Sequence, residues 1–257
     1  MKLNYKSFGS GFPLIILHGL FGMLDNWQTI AKKLADNYLV YIVDLRNHGK
    51  SPHHTDFDYE IMAEDLQVFM EENWIYEAYV LGHSMGGKTA MQFALSYPDL
   101  VKKLIVVDIA PKKYEAGHQA IFEALSSLDL SKITNRKEAA AHLKNKVPAV
   151  GTQQFLLKNL NRNKEGVYEW KMNLPIIHQQ YPVILENVKM KEQAFDSPTL
   201  FIKGGASNYI LEEDLPAIQH FFPAAKLETI PKAGHWVHAA APTELLNLVN
   251  EFLIEER

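Results

Sequence analysis

Gly82-His83-Ser84-Met85-Gly86 narrows the choice of fold more than any other stretch of this chain. It stands between an apolar run, Ala78 to Leu81, and a helical pattern that begins near Gly87. A serine set between glycines where a strand turns directly into a helix is held in strained dihedrals and lifted above the edge of a sheet. The helix behind it presents unpaired N–H groups and the positive end of its dipole, both favourable to developing negative charge. A glycine-rich turn with a serine N-cap would share the five-residue pattern; the strand before it and the helix after it separate the two readings.

Short apolar runs rich in Val and Ile recur at Leu14 to Leu17, Leu39 to Leu45, Ala78 to Leu81, Leu104 to Ile109, Thr199 to Ile202 and Lys226 to Ile230, as buried strands do. Between them, Met62, Leu66, Phe69 and Met70, and then Ala90, Phe93, Ala94 and Tyr97, are spaced to cover one face of a helix. The alternation predicts an α/β protein: a mostly parallel central sheet with helices on both faces. It stops after Pro111, and the stretch to about Phe195 is mainly helical, with segments at Lys137 to Val147 and Thr152 to Leu160. We therefore expect a core from residues 1–110 and 196–257, and a helical cap of residues 111–195 inserted between the sixth and seventh sheet strands.

A chain of 257 residues that is 47% hydrophobic can bury the core of one such domain with its insertion. With a net charge of −4 it lacks the clustered basic excess that nucleic acid requires. The absence of cysteine excludes disulfides, thiolate catalysis and Cys-ligated metals. His53 and His54 near Asp56 lack the spacing of a metal site and read as loop, so no metal or cofactor is expected. Pro13, His18, Gly19 and Gly22 interrupt the apolar run Phe12 to Met23, which reads as a strand and its loop rather than a signal peptide. No run is long enough to span a membrane, and a soluble, cytoplasmic protein is the expectation, with its oligomeric state open. Residues 111–195 hold 13 Lys and Arg against 8 Asp and Glu, a basic surface that suits either solvated helix faces or steering of anionic substrates.

A serine hydroxyl needs a general base to attack near neutral pH. Of 11 histidines, His235 follows the last strand signal and precedes the final helix, Pro242 to Leu253, which sets it on a loop at the C-terminal edge of the sheet. His238 is its local competitor. For the acid, the loop after Thr199 to Ile202 offers Ser207 and Asn208 but no carboxylate. Asp108, at the end of the strand beside the elbow, is then the favoured partner, with Glu212, Glu213 and Asp214 in reserve as residues better placed to cap a helix. The loop His18-Gly19-Leu20-Phe21-Gly22 follows the strand Leu14 to Leu17 and supplies one oxyanion N–H, from Leu20 or Phe21, with Met85 supplying the other. His18 reads as a structural residue tying the turn.

These pieces, together with Asp44-Leu45-Arg46-Asn47-His48-Gly49-Lys50-Ser51-Pro52, Gly82 to Lys88, Asp108-Ile109-Ala110-Pro111 and Gly234-His235-Trp236-Val237-His238, closely resemble the YbfF-like bacterial esterases, relatives of the ABHD11-type hydrolases. The resemblance runs nearly end to end. It implies the α/β-hydrolase fold, Asp108 as the acid, and hydrolysis of short acyl esters and acyl-CoA thioesters. Arg46 and His48 read as structural.

The expected partner is thus a small-molecule acyl ester or thioester, cleaved by Ser84, His235 and Asp108 with the Leu20 and Met85 amides binding the oxyanion, and with Phe21, Tyr209 and Trp236 as pocket walls. Two other classes share the scaffold: a carbon–carbon bond hydrolase or lyase, and a ligand receptor without turnover. Epoxide hydrolases and dehalogenases attack with a carboxylate at the elbow, where this chain has a hydroxyl.

Overall fold

The structure, a computed structural model, describes residues 1–189 and 193–254; residues 190–192 and 255–257, counted above with the insertion and the core, lie outside the described residues. The chain begins β1 (Tyr5–Phe8), β2 (Pro13–Leu17), α1 (Gln28–Leu34), β3 (Leu39–Val43), α2 (Tyr59–Glu72), β4 (Ala78–His83), α3 (Met85–Ser96) and β5 (Val101–Val107). The insertion follows: α4 (Gln119–Ser126), α5 (Arg136–Lys144), α6 (Val150–Leu157), β6 (Leu160–Arg162), β7 (Tyr168–Trp170), α7 (Leu174–Gln179) and α8 (Tyr181–Leu185). The chain then returns through β8 (Thr199–Gly204), α9 (Leu215–Phe221), β9 (Ala225–Ile230), α10 (Val237–Ala240) and α11 (Pro242–Leu253).

The main sheet has the strand order β1-β3-β2-β4-β5-β8-β9, with β1 antiparallel to β3 and every other pair parallel. Side chains alternate between its faces, as strand geometry requires. Ile15, Leu17, Val80 and Val106 pack on one side with Leu66 and Phe69 of α2 and Ala90 and Phe93 of α3. Leu14, Ile16, Leu81 and Ile105 pack on the other with Ile30 and Leu34 of α1 and Leu245 and Val249 of α11. The helices of the insertion extend the first of these cores through Phe122, Leu143 and Ile177.

The chain moves from β2 outward to β3 and then crosses back to β4 on the other side of β2, so the order reverses between β2 and β4. Loops leaving the C-terminal ends of strands diverge at such a point and open a crevice, the usual ligand site of a parallel sheet. His18 follows β2 and Ser84 follows β4, one on each side of that crevice.

Two expectations need correction. Five strands of the main sheet precede the insertion, so it lies between the fifth and sixth strands, not the sixth and seventh. One of those five, β1, is absent from the apolar runs, because its residues Tyr5 to Ser7 are exposed. The segment expected as helix from Thr152 to Leu160 ends at Leu157, and Leu160 opens a small antiparallel hairpin within the otherwise helical insertion. Its turn is made at Gly166, with φ of 84°, and the Asn163 side chain accepts the Val167 amide at 2.9 Å.

Candidate active site

Ser84 has φ of 53° and ψ of −122°, a left-handed backbone that the strand-to-helix turn imposes. The turn closes only because position 82 lacks a side chain: a Cβ on Gly82 would stand 2.1 Å from the Gly86 carbonyl oxygen. The Ser84 amide donates to the Val107 carbonyl at 3.1 Å, which ties the elbow to the end of β5. The next residue, Asp108, has φ of 52° and is fully buried.

Three side chains from separate loops meet here. Ser84 Oγ donates to His235 Nε2 at 3.0 Å, and His235 Nδ1 donates to Asp108 Oδ2 at 2.8 Å. Asp108 Oδ1 accepts the Gly204 amide at 2.8 Å, and Oδ2 also accepts Ser207 Oγ–H. Both carboxylate oxygens are therefore engaged by donors, which holds the group in one rotamer inside the protein. Ser207, from the loop that lacks a carboxylate, acts on the acid and not on the histidine. The His235 ring is held further by Tyr209, stacked at 3.7 Å between centroids, and its backbone carbonyl accepts His83 Nε2–H at 2.7 Å.

The competitors are engaged in other contacts. His238 stacks on Trp27 at 4.5 Å. Asp214 accepts the Leu211 amide and pairs with Lys112, the capping role expected of it. His53 and His54 lie on an exposed loop, where His53 Nε2 donates to the Lys171 carbonyl at 3.0 Å.

The loop after β2 presses against the elbow so closely that a Cβ on Gly19 would lie 3.1 Å from the Ser84 Cβ. His18 shapes this loop: Nδ1 donates to the Gly19 carbonyl at 2.9 Å and Nε2 accepts the Leu45 amide at 3.0 Å. His48 donates from Nδ1 to the Arg46 carbonyl and accepts the Phe21 amide on Nε2 at 3.3 Å. The Phe21 N–H is thereby committed, whereas the Leu20 and Met85 amides have no protein acceptor among the described residues. Arg46 forks onto Asp65, both buried, through Nε at 2.5 Å and Nη2 at 2.8 Å. Arg46 and His48 thus hold loops together and stand outside the pocket lining.

Two lobes open from Ser84. The smaller, about 60 Å³, is lined by Gly19, Phe21, Trp27, Phe155, Trp236 and His238; the larger, about 460 Å³, by Met85, Lys88, Ile109, Tyr114, Ile184 and Tyr209. Leu20, Ser84, His118 and His235 line both. Of the residues expected as pocket walls, Tyr209 therefore lines the large lobe and Trp236 and Phe21 the small one, with most of the Phe21 ring buried against Phe122. His118 and Lys88 went unnoticed in the sequence. Lys88 sits one helical turn past the elbow serine, a spacing that could have flagged it; His118 is brought in by the insertion and carries no local signal.

Burial lowers the pKa of His18 to about 4, of His48 to about 3, of His118 to about 4 and of His238 to about 4. In the unfolded chain these groups titrate near 6.5. Between those values the unfolded state binds more protons, so stability is complete above about pH 6.5 and is lost as pH falls toward 4. The urea midpoint is expected to be lower at pH 5 than at pH 7. Equal midpoints would mean that these imidazoles are not held neutral.

A family profile described as the alpha/beta hydrolase fold matches residues 13–242. The sn-1-specific diacylglycerol lipase ABHD11 of Danio rerio is 39% identical over 98% of this chain and 83% of its own length. Esterase YbfF of Escherichia coli (strain K12) is 38% identical over 98% of this chain and 99% of its own. A solved chain described as a marine microorganism esterase superposes with a TM-score of 0.96 at 46% identity, covering 98% of this chain and 99% of that one. Similarity of this extent, over a sheet with the serine at its strand-order reversal, means that the chain belongs to the alpha/beta hydrolase fold family, in its YbfF-like group.

Proposed function

We propose that this protein is a serine carboxylic-ester hydrolase acting on small acyl esters through an acyl-enzyme on Ser84. The observation that carries this reading is the unbroken relay from buried Asp108 through His235 to Ser84 Oγ, at 2.8 and 3.0 Å. The curated relatives named as an esterase and a lipase support the same chemistry.

The hydrogen-bond pattern supports the following roles. His235 carries its proton on Nδ1, facing Asp108, which leaves the Nε2 lone pair to take the Ser84 proton as Oγ attacks the ester carbonyl carbon. The carbonyl π electrons move onto oxygen, and the Leu20 and Met85 amides receive that oxyanion. Collapse expels the alkoxide, which takes the proton from His235 Nε2 and leaves as alcohol. A water molecule then gives its proton to the same nitrogen while its oxygen attacks the acyl-serine. The acid departs, and Ser84 recovers its proton.

Trp236 and Phe21 wall the smaller part of the substrate and Tyr209 the larger, with the insertion as a cap over both. The same steps cleave a thioester, with a thiolate in place of the alkoxide. A panel of p-nitrophenyl esters and acyl-CoAs, combined with mass analysis of the peptide carrying Ser84, tests the proposal. Turnover with an acyl increment on Ser84 is expected. Cleavage without that increment would favour the carbon–carbon hydrolase or lyase reading, and no turnover of any ester or thioester would leave the receptor reading.

A further inference from the structure

Lys88 is 1% exposed, yet no carboxylate forms an ion pair with it among the described residues. Its ammonium donates to the carbonyls of Leu185, at 3.2 Å, and Glu186, at 2.5 Å, just past the end of α8. It also faces the rings of Tyr114 and Tyr59, with centroids at 4.9 and 5.4 Å. The neighbouring acids are taken: the Glu186 carboxylate pairs with Lys113 and Asp214 with Lys112. Both tyrosine hydroxyls are spent as donors on other carbonyls, Ile184 for Tyr59 and Tyr209 for Tyr114. Glu115 also lines the large lobe, but it is exposed and makes no ion pair with Lys88.

An ammonium has three donors, and two are used. A buried cation bonded only to neutral acceptors is costly, and protein interiors ordinarily pair such a charge with an anion. Lys88 lies in the wall of the large lobe, and its amide donates to the Ser84 carbonyl at 3.0 Å, so its side chain stands one helical turn from the nucleophile on the same lobe. Burial lowers its pKa to about 7, against the opposing pull of the nearby Glu186 carboxylate.

We propose that the large lobe is a subsite for a substrate carboxylate, bound by the ammonium of Lys88 a few carbons from the ester carbonyl. The inference rests on the esterase reading and narrows its substrate class to esters that carry a second, free carboxylate. The carbonyls at the end of α8 orient the ammonium, and the tyrosine rings flank it. A carboxylate completes its donors and offsets its charge.

The test compares the p-nitrophenyl hemiester of glutarate with the same ester whose free carboxylate is capped as a methyl ester. Wild type is expected to favour the free carboxylate at least tenfold in kcat/KM, and Lys88→Met to reduce that ratio at least tenfold. Equal kcat/KM for the free and capped members of this pair and of the acetyl pair below in wild type, or a preference that survives in Lys88→Met, would overturn the proposal and leave Lys88 as a clamp on the insertion. Cleavage of the capped ester keeps either result distinct from failure of the esterase reading, in which neither ester is cleaved. If the variant does not fold, the wild-type ratio still decides. A second pair, the acetyl esters of 4-hydroxybutanoate and of its methyl ester, places the carboxylate: a preference confined to this pair supports the subsite with the anion on the alcohol.

Discussion

Ser84→Ala is expected to lower kcat for a p-nitrophenyl ester by about 10⁶ with little change in KM, by comparison with serine hydrolases whose nucleophile has been removed. The loss falls on kcat because the substrate contacts and the Leu20 and Met85 amides survive the change. What disappears is the covalent route. Alanine can occupy the same backbone, since its Cβ meets the left-handed φ of 53° on the same terms as that of serine. The variant gives up one hydrogen bond, from Ser84 Oγ to His235 Nε2, so its circular dichroism and urea midpoint should stay close to wild type. An activity within tenfold of wild type would show that Ser84 is not the attacking group, whatever its geometry. The residual rate measures what oxyanion binding and proximity accomplish without a nucleophile.

The features legible in the sequence were those with a local signal. Buried strands announce themselves as apolar runs, and α11 spans Pro242–Leu253 as its pattern indicates, with proline at a position where its missing N–H costs nothing. Asp108 could be reached from sequence because β5 follows the elbow helix directly, and a right-handed crossover lays it beside β4. The rest depends on contacts between distant segments. His83 is an arbitrary letter in the five-residue elbow pattern, yet its Nε2 bonds the carbonyl of His235, 152 residues away. Ser207 stands on a loop whose sequence offers no carboxylate; the fold turns it onto Asp108, at the far end of the relay from Ser84. The edge strand β1 is exposed and is identified only by its pairing with β3, from Tyr5 opposite Val43 to Phe8 opposite Val40. His118 reaches the site because the insertion folds back over the sheet, an arrangement that no spacing within residues 111–195 encodes.

Asp108→Asn separates geometry from charge at the far end of the relay. Asparagine has the shape of aspartate, so packing around position 108 should persist. The Gly204 amide, which donates to Oδ1 at 2.8 Å, then selects the asparagine rotamer: the side-chain carbonyl must stay opposite Gly204, which sends Nδ2 to the position facing His235 Nδ1. Two donors cannot share that line. Ser207 Oγ can rotate its hydrogen away and accept from Nδ2, so nothing forces the amide to flip. His235 relieves the clash by moving its proton to Nε2, the nitrogen that must accept from Ser84. Its lone pair then points at the asparagine, and the base is lost without any displacement of atoms. The compensating charge for the imidazolium is lost as well. A fall of about 10⁴ in kcat is expected, the size seen when an orienting aspartate of a serine protease is made neutral, with KM and the urea midpoint nearly unchanged. Retention of activity within tenfold would move the acid to another carboxylate. Asp214 is a poor substitute, because its carboxylate already accepts the Leu211 amide at 2.8 Å and the Lys112 ammonium at 2.7 Å, and turning it toward His235 would break the turn from Leu211 to Asp214 that leads into α9.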